Sequence, residues 1–337
     1  MSAYEAGMAS QPAGAGGGDA LRATRAQWPV MVLAHNEERH IEACLDSILR
    51  AEPDGAVEVY VMANGCTDRT EALTRAYAER HPGVRLVSIA LGDKCNAWNV
   101  FVHETVPAHC PERPVYFFMD GDARCVRGSL RVMADALAAD PHANAASAVP
   151  ASGRNVRKDA QALLDERGLV ANLYALRGTF VRRVASEGVR MPLGLEGDDG
   201  LLGALVKWDL APDRNAFDHA RIVPCAGAAF EFEPFAFTAM GAWRAYWSRA
   251  VRYGRRRYEF DLLGKRLKQK GMGEMPVDIR SLYGEAEHLK LRWNGLYTFS
   301  NWVALRRMRE IGRRRRTAPV TSGARRPGAM PPGGHQG

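Results

Sequence analysis

The sequence predicts an α/β fold: a mostly parallel sheet flanked by helices, followed by a helical C-terminal extension. Three observations predict it. Between residues 28 and 139, short apolar runs alternate with helical patterns of about 10–15 residues. Unusual polar residues collect where those runs end, which is where open parallel sheets bind their ligands. Beyond residue 242 the alternation gives way to long aromatic, arginine-rich helical patterns.

The elements follow in order. Trp28–Ala34 is a short apolar run, and Glu37–Arg50 places Ile41, Leu45, Ile48 and Leu49 at helical spacing. Val57–Ala63 reads as the second strand, Asp68–Glu79 as a helix, Val84–Ala90 as the third strand and Lys94–Glu104 as a helix. Val115–Met119 is the fourth strand, ending at Asp120-Gly121-Asp122 before a helix over Gly128–Ala139. Past Asn144 the pattern is mixed. A helix is expected over Asp159–Leu176, a short strand over Gly178–Arg182, a helix opening at Glu196, and a β-like stretch over Arg221–Glu231. Two further helices are expected over Trp243–Leu263 and Trp293–Ile311.

Composition narrows the class. The chain has 337 residues, 46% hydrophobic and 25% charged, which excludes a wholly disordered or fibrous protein. No run of 18 apolar residues marks a membrane span, and Met1–Gln27 lacks the apolar segment of a secretory signal. Six cysteines without a C-x-x-C pair give no zinc or dithiol motif and suggest free thiols in a reducing cytoplasm. The formal net charge of +8 is split: residues 1–242 hold 24 Lys+Arg against 31 Asp+Glu, and residues 243–337 hold 22 against 7. The basic back half suggests phosphate, lipid headgroups or nucleic acid as neighbours. Arg outnumbers Lys 39 to 7, so a general arginine bias contributes to this richness.

Several polar clusters carry chemistry. Asp120-Gly121-Asp122 leaves a buried strand, and two carboxylates one residue apart suit a hard divalent cation, Mn²⁺ or Mg²⁺, that shares its shell with phosphates. A solvated turn is the plain alternative. In Asn64-Gly65-Cys66-Thr67-Asp68-Arg69-Thr70, Asp68 or Thr67 suits a helix N-cap, which accounts for one residue and not the whole loop. Asn36-Glu37-Glu38 also suits an acidic first helical turn.

Taken together, Ala34-His35-Asn36-Glu37-Glu38, Asn64 to Thr70, Lys94-Cys95-Asn96-Ala97-Trp98-Asn99 and Asp120-Gly121-Asp122 resemble glycosyltransferase family 2. The likeness is strong from about Trp28 to Ala139, moderate from Gly178 to Glu233 and loose beyond. It implies the GT-A fold: a nucleotide-binding half over residues 28–142 and an acceptor-binding half over 143–235. A helical basic extension would follow over 236–312, with disordered tails over 1–27 and 313–337. It implies a cytoplasmic enzyme that moves a sugar from a nucleotide-diphosphate donor, UDP-linked by expectation, to an acceptor hydroxyl. By position, Ala34, Asn36, Glu37 and Asn64 match the nucleoside pocket and Asp68 the carboxylate that bonds the base. Lys94 matches the basic residue near the nucleotide, Asp120 with Gly121 the ribose side, and Asp122 the cation-holding end of the DXD motif. The cation would neutralise charge on the leaving diphosphate.

Downstream, Glu196-Gly197-Asp198-Asp199 resembles the family's acidic pair. Inverting displacement needs a base opposite the leaving group, and Asp199 aligns best with that role, Asp198 being the second candidate. Arg249-Ala250-Val251-Arg252-Tyr253 resembles the family's (Gln/Arg)-x-x-Arg-Trp motif with Tyr in place of Trp. Arg249 and Arg252 would share a helix face toward diphosphate or an anionic acceptor. The acceptor expected is a glycan, a lipid-linked sugar or a small molecule. The stripe Leu296, Tyr297, Phe299, Trp302, Leu305 and Met308 beside Arg306, Arg307, Arg309 and Arg313 to Arg316 suits either a packed helix or peripheral attachment to an anionic membrane. Nucleic acid is not expected. A sugar nucleotidyltransferase would need a glycine-rich loop after the first strand, where Ala34-His35-Asn36-Glu37 stands instead. A non-catalytic basic binding protein leaves the acidic loops without a purpose.

Overall fold

The computed structural model describes residues 28–52, 57–153, 155–233 and 242–317. The segments read above as tails, 1–27 and the part of 313–337 beyond residue 317, lie outside the described residues, as does 234–241. Eight strands form one sheet in the order β3-β2-β1-β4-β7-β6-β8-β5. β1 (Trp28–Ala34), β2 (Val57–Asn64), β3 (Val84–Ile89) and β4 (Val115–Asp120) pair in parallel, with Ala34 opposite Ala63 and Leu33 opposite Asp120. Their carboxyl ends therefore meet at one rim.

The crossovers are helical: α1 (Ile41–Ala51), α2 (Thr70–Arg80) and α3 (Lys94–Val100). α3 continues through a π-turn (Phe101–Thr105) into α4 (Val106–His109), so this rod outruns the sequence expectation by one turn. β5 (Ala123–Cys125) follows the Asp-Gly-Asp turn, and α5 (Ser129–Ala139) packs back on the sheet.

The middle of the chain departs from the sequence reading. The helix expected over Asp159–Leu176 is α6 (Val156–Glu166), which stops where Arg167 takes a left-handed conformation (φ 47°). Leu173–Arg177 is instead strand β7, antiparallel to β4 and buried. The short strand expected over Gly178–Arg182 is helix α7 (Gly178–Ser186), with Phe180, Val181 and Val184 inward. β6 (Ala145–Pro150) is a run of small residues with every position buried, and its Ala-rich sequence carries little strand signal. α8 (Asp198–Lys207) and β8 (Ile222–Phe232) lie where expected.

The extension consists of α9 (Ala242–Lys270), a 3₁₀ stretch over Ile279–His288, and α10 (Thr298–Thr317). It is not a separate core. Tyr258, Leu262, Leu267, Ile279, Tyr283, Leu305 and Met308 join Met31, Tyr60 and Phe118 in one apolar cluster on one face of the sheet. The other face is closed by α1, α2 and α5 through Leu45, Ile48, Tyr77 and Leu130. Among the described residues, no helix is long and apolar enough to cross a membrane.

Candidate active site

The rim of β1, β2 and β4 is cross-tied by short polar bonds. Asn36, itself left-handed at φ 59°, accepts from the Thr67 N–H at 2.8 Å. Glu37 N–H donates to Thr70 Oγ1 at 2.7 Å, and Glu38 N–H to Asp68 Oδ2 at 3.1 Å. Asp68 Oδ1 also accepts from Thr70 N–H and Oγ1, and these bonds lower its carboxyl pKa against the opposing pull of desolvation. Asn64 is buried and donates to the Ala34 carbonyl at 2.8 Å. Gly121 lies so close to β1 that a Cβ would stand 2.9 Å from the Leu33 carbonyl, to which its own N–H donates at 2.8 Å.

Beneath this rim is a hollow of about 690 Å³. Its lining brings Glu37, Asn64, Asp120, Gly121, Asp122, Glu196 and Asp198 together with Lys94, Arg252, Arg255 and Arg280. Lys94 joins two of these carboxylates, with Nζ 3.0 Å from Asp120 Oδ1 and 3.4 Å from Asp198 Oδ2. Burial works against the Lys94 charge, but Asp120 and Asp198 outweigh it and hold its pKa above the usual range. Asp120 itself is raised, chiefly by desolvation, with Lys94 opposing. Glu37 is raised by burial, eased by a 2.9 Å contact with His40, and raised further by Asp122 and Asp120. Asp122 is exposed in this acidic corner.

The acidic pair divides between two spaces. Asp198, the first residue of α8, lines the hollow; Asp199 does not. Asp199 faces a second space of about 500 Å³ and meets Arg256 Nη2 at 2.7 Å. Burial and the neighbouring Asp198 raise its pKa, while Arg256 and Lys94 oppose. The two arginines expected to share a face also part: Arg252 lines the hollow and Arg249 does not. Arg252 is accompanied in the hollow by Arg255, three residues on. Asp68, Asn36 and the Ala34 side chain lie in the rim and do not line the hollow.

The sequence reading missed the residues that tie the acidic-pair loop in place. Asp93 caps α3 through Asn96 N–H (2.9 Å) and receives Gly194 N–H (2.7 Å), which ties the acidic-pair loop to α3. Glu259, fully buried, accepts from Glu196 N–H at 3.0 Å and from the Tyr283 hydroxyl, and faces Arg255. Arg255 also pairs with Glu196. Only an Asp-x-x-Asn cap signal at Asp93 is legible locally; the Glu259 cluster joins residues 63 and 24 positions apart.

Residues 30–187 match the model of glycosyl transferase family 2. Over this segment, a little under half of its length, the chain is similar to glycosyl transferase family 2. The match identifies a glycosyltransferase, and the sheet has the GT-A arrangement. Among solved structures the chain is similar to the mannosyltransferase PcManGT from Pyrobaculum calidifontis, in complex with GDP-Man and Mn²⁺. That likeness has 16% identity, covers 86% of this chain and 87% of that one, and has a TM-score of 0.53. It is also similar to TarS 1-349 from S. aureus in complex with UDP-GlcNAc, at 14% identity over 86% and 91% of the chains with TM-score 0.46. A third is glucosyl-3-phosphoglycerate synthase from Mycobacterium tuberculosis in complex with Mn²⁺, UDP and glucosyl-3-phosphoglycerate, at 21% identity over 70% and 82% with TM-score 0.44. No curated protein matches the chain in sequence. The family segment ends before Asp198 and Arg252, so half of the hollow is furnished by chain outside it.

Among the described residues, several basic side chains of the back half are paired within the fold. Arg266 meets Glu274 and Glu285, Arg292 meets Asp261, and Arg315 meets Asp278 at 2.9 Å. α10 buries Ala304, Leu305 and Met308 while Phe299 and Trp302 stay exposed.

Proposed function

We propose that the hollow binds a nucleotide-diphosphate sugar and that the enzyme transfers the sugar with inversion to an acceptor hydroxyl. The observation that carries this reading is one space lined by both carboxylates and cationic side chains, with Lys94 joining Asp120 to Asp198. Arg252, Arg255 and Lys94 supply positive charge for a diphosphate. Asp68, at the rim beside the hollow, keeps lone-pair capacity beyond the bonds from Glu38 and Thr70, which suits an N–H donor of the base; the donor proposed is UDP-linked.

Among the described residues, no three His, Cys, Asp or Glu side chains cluster tightly enough to hold a cation alone. The donors present are Asp122, exposed, with Asp120 and Glu37 in the same acidic corner. Such a set fits Mn²⁺ or Mg²⁺ shared with phosphate oxygens, a common mode for hard cations. When bound, the cation would neutralise charge on the departing diphosphate. For the base we propose Asp198, because it stands in the same hollow as Asp122; Asp199, favoured by alignment, faces the neighbouring space. Asp198, beside Lys94, accepts the acceptor proton as the new glycosidic bond forms.

A thermal-shift panel of UDP- and GDP-sugars with and without Mn²⁺ tests donor and cation together, since a ligand of the folded state raises Tm. Asp198→Asn is expected to keep nucleotide binding and to lose about 10²–10⁴-fold in transfer, the usual worth of a general base. Full loss in Asp199→Asn with wild-type rates in Asp198→Asn would move the role to Asp199.

A further inference from the structure

We propose that the C-terminal extension carries a phosphate-binding site of its own, in a hollow of about 460 Å³ between the 3₁₀ stretch and the end of α10. It stands apart from the sugar-transfer reading, since it uses none of the groups given a role in transfer. Its lining is short: Arg280, Ser281 and Gly284 from the 3₁₀ stretch, and Gly312, Arg315 and Arg316 from α10.

The arginine run 313–316 cannot aim all its charges one way, because successive helical residues point roughly 100° apart. Arg315 and Arg316 are the two that reach this hollow, where Arg280 meets them from the facing segment. Glycine lets the two segments come so close. A Cβ at Gly312 would collide with the Tyr283 carbonyl, and one at Gly284 would stand 3.3 Å from Arg316 Nε. The space that side chains would fill is left open to a ligand.

The charges around it do not balance. Asp278 serves two of the arginines at once, meeting Arg280 Nε at 3.1 Å and Arg315 Nη2 at 2.9 Å. Arg316 donates to the Gly284 carbonyl, and no carboxylate lines the hollow itself. Three guanidiniums against one carboxylate leave an excess of two positive charges, which matches a phosphate of roughly −1.5 to −2. A guanidinium carries five N–H donors, so each arginine keeps several beyond the bonds just named, and the Ser281 hydroxyl adds another.

The rest of the lining narrows the ligand. It holds no aromatic ring on which a base or a sugar could stack, and no apolar side chain for an acyl tail. What remains is a bare phosphate group, offered by a soluble phosphate ester or by a phosphomonoester lipid headgroup. Arg315 is 45% exposed at this site, so either source can reach it. Arg280 also lines the donor hollow, and its Nη2 lies against Gly194 of the acidic-pair loop, where a Cβ would stand 3.0 Å away. A phosphate seated here is thus held by a side chain that borders the donor space.

The test is isothermal titration with inorganic phosphate and with glycerol 3-phosphate, in the presence of UDP so that the donor hollow is occupied. Wild type is compared with Arg315→Gln/Arg316→Gln and with Arg306→Gln/Arg307→Gln, which removes the same charge from exposed positions earlier on α10, outside the hollow. The first double variant is expected to bind phosphate at least about ten-fold more weakly, and the second within about two-fold of wild type. Arg315→Lys/Arg316→Lys keeps the charge without the fork and should fall between wild type and the glutamine variant. Sedimentation with phosphatidic acid vesicles, against phosphatidylcholine vesicles, separates the sources. Binding of the soluble phosphates assigns the site to free phosphate esters. Binding of phosphatidic acid vesicles alone, lost with Arg315 and Arg316, assigns it to a headgroup. Equal loss in the two glutamine variants would reduce the effect to diffuse charge and overturn the site. So would unchanged binding in Arg315→Gln/Arg316→Gln, or no binding of any probe. Failure of the donor reading shows separately, as absence of UDP binding, and leaves the comparison among variants intact.

Discussion

Lys94 lies 3.0 Å from Asp120 and 3.4 Å from Asp198, joining the end of β4 to the start of α8 across the hollow. Without that ammonium, two half-buried carboxylates from distant parts of the chain would face one another uncompensated. Lys94→Met is therefore expected to weaken nucleotide affinity at least about ten-fold, or ~1.4 kcal/mol, by calorimetry. Unchanged affinity would mean that the lysine serves only the fold.

Asp122→Ala removes the exposed carboxylate of the acidic corner. The rise in Tm produced by nucleotide sugar plus Mn²⁺ is expected to vanish, while the Tm of the protein alone moves little because Asp122 is exposed. A cation-dependent shift surviving in this variant would place the ion elsewhere.

Gly121→Ala inserts a Cβ at 2.9 Å from the Leu33 carbonyl, a backbone atom that cannot swing aside. Strand β4 must then move off β1. The expected cost is about 1–3 kcal/mol in urea denaturation, together with weaker nucleotide binding. A variant as stable as wild type would show that the turn has slack.

Glu259 supplies a pH signature. Desolvation raises its pKa above the ordinary 4.5, against the Tyr283 hydrogen bond and the charges of Arg255 and Arg280. The folded chain thus holds this proton more tightly than the unfolded chain. Its contribution favours folding at low pH and declines as pH rises from about 4.5 through the raised folded value. Glu259→Gln is expected to remove that decline: stability of wild type relative to the variant should fall between pH 4.5 and neutrality. A parallel pair of stability curves would contradict it.

How much was legible can be read from particular residues. β1, β2 and β4 and the polar loops after them are visible because each is a largely apolar run with Asn, Gly or Asp close behind it, whereas β3 alternates, with Arg85 and Ser88 exposed. β6 and β7 are not. Ala145–Pro150 is made of small residues, and Leu173–Arg177 is too short to separate from a preceding helical pattern; each becomes a strand because β4 and β8 offer ladder partners. Tertiary pairing overrode local preference there.

The chain's own order determined the four strand-end loops, the Asp120–Asp122 turn, and the presence of an acidic pair at a helix start, since each depends on neighbours within a few residues. Only the folded molecule decided that Asp198 and Asp199 look into different spaces and that Arg255 rather than Arg249 accompanies Arg252. Successive residues of a helix point roughly 100° apart, so a motif fixes which groups are present. Which of them meets the ligand is set by how the helix is packed, here by Asp93 holding Gly194 and Glu259 holding Glu196.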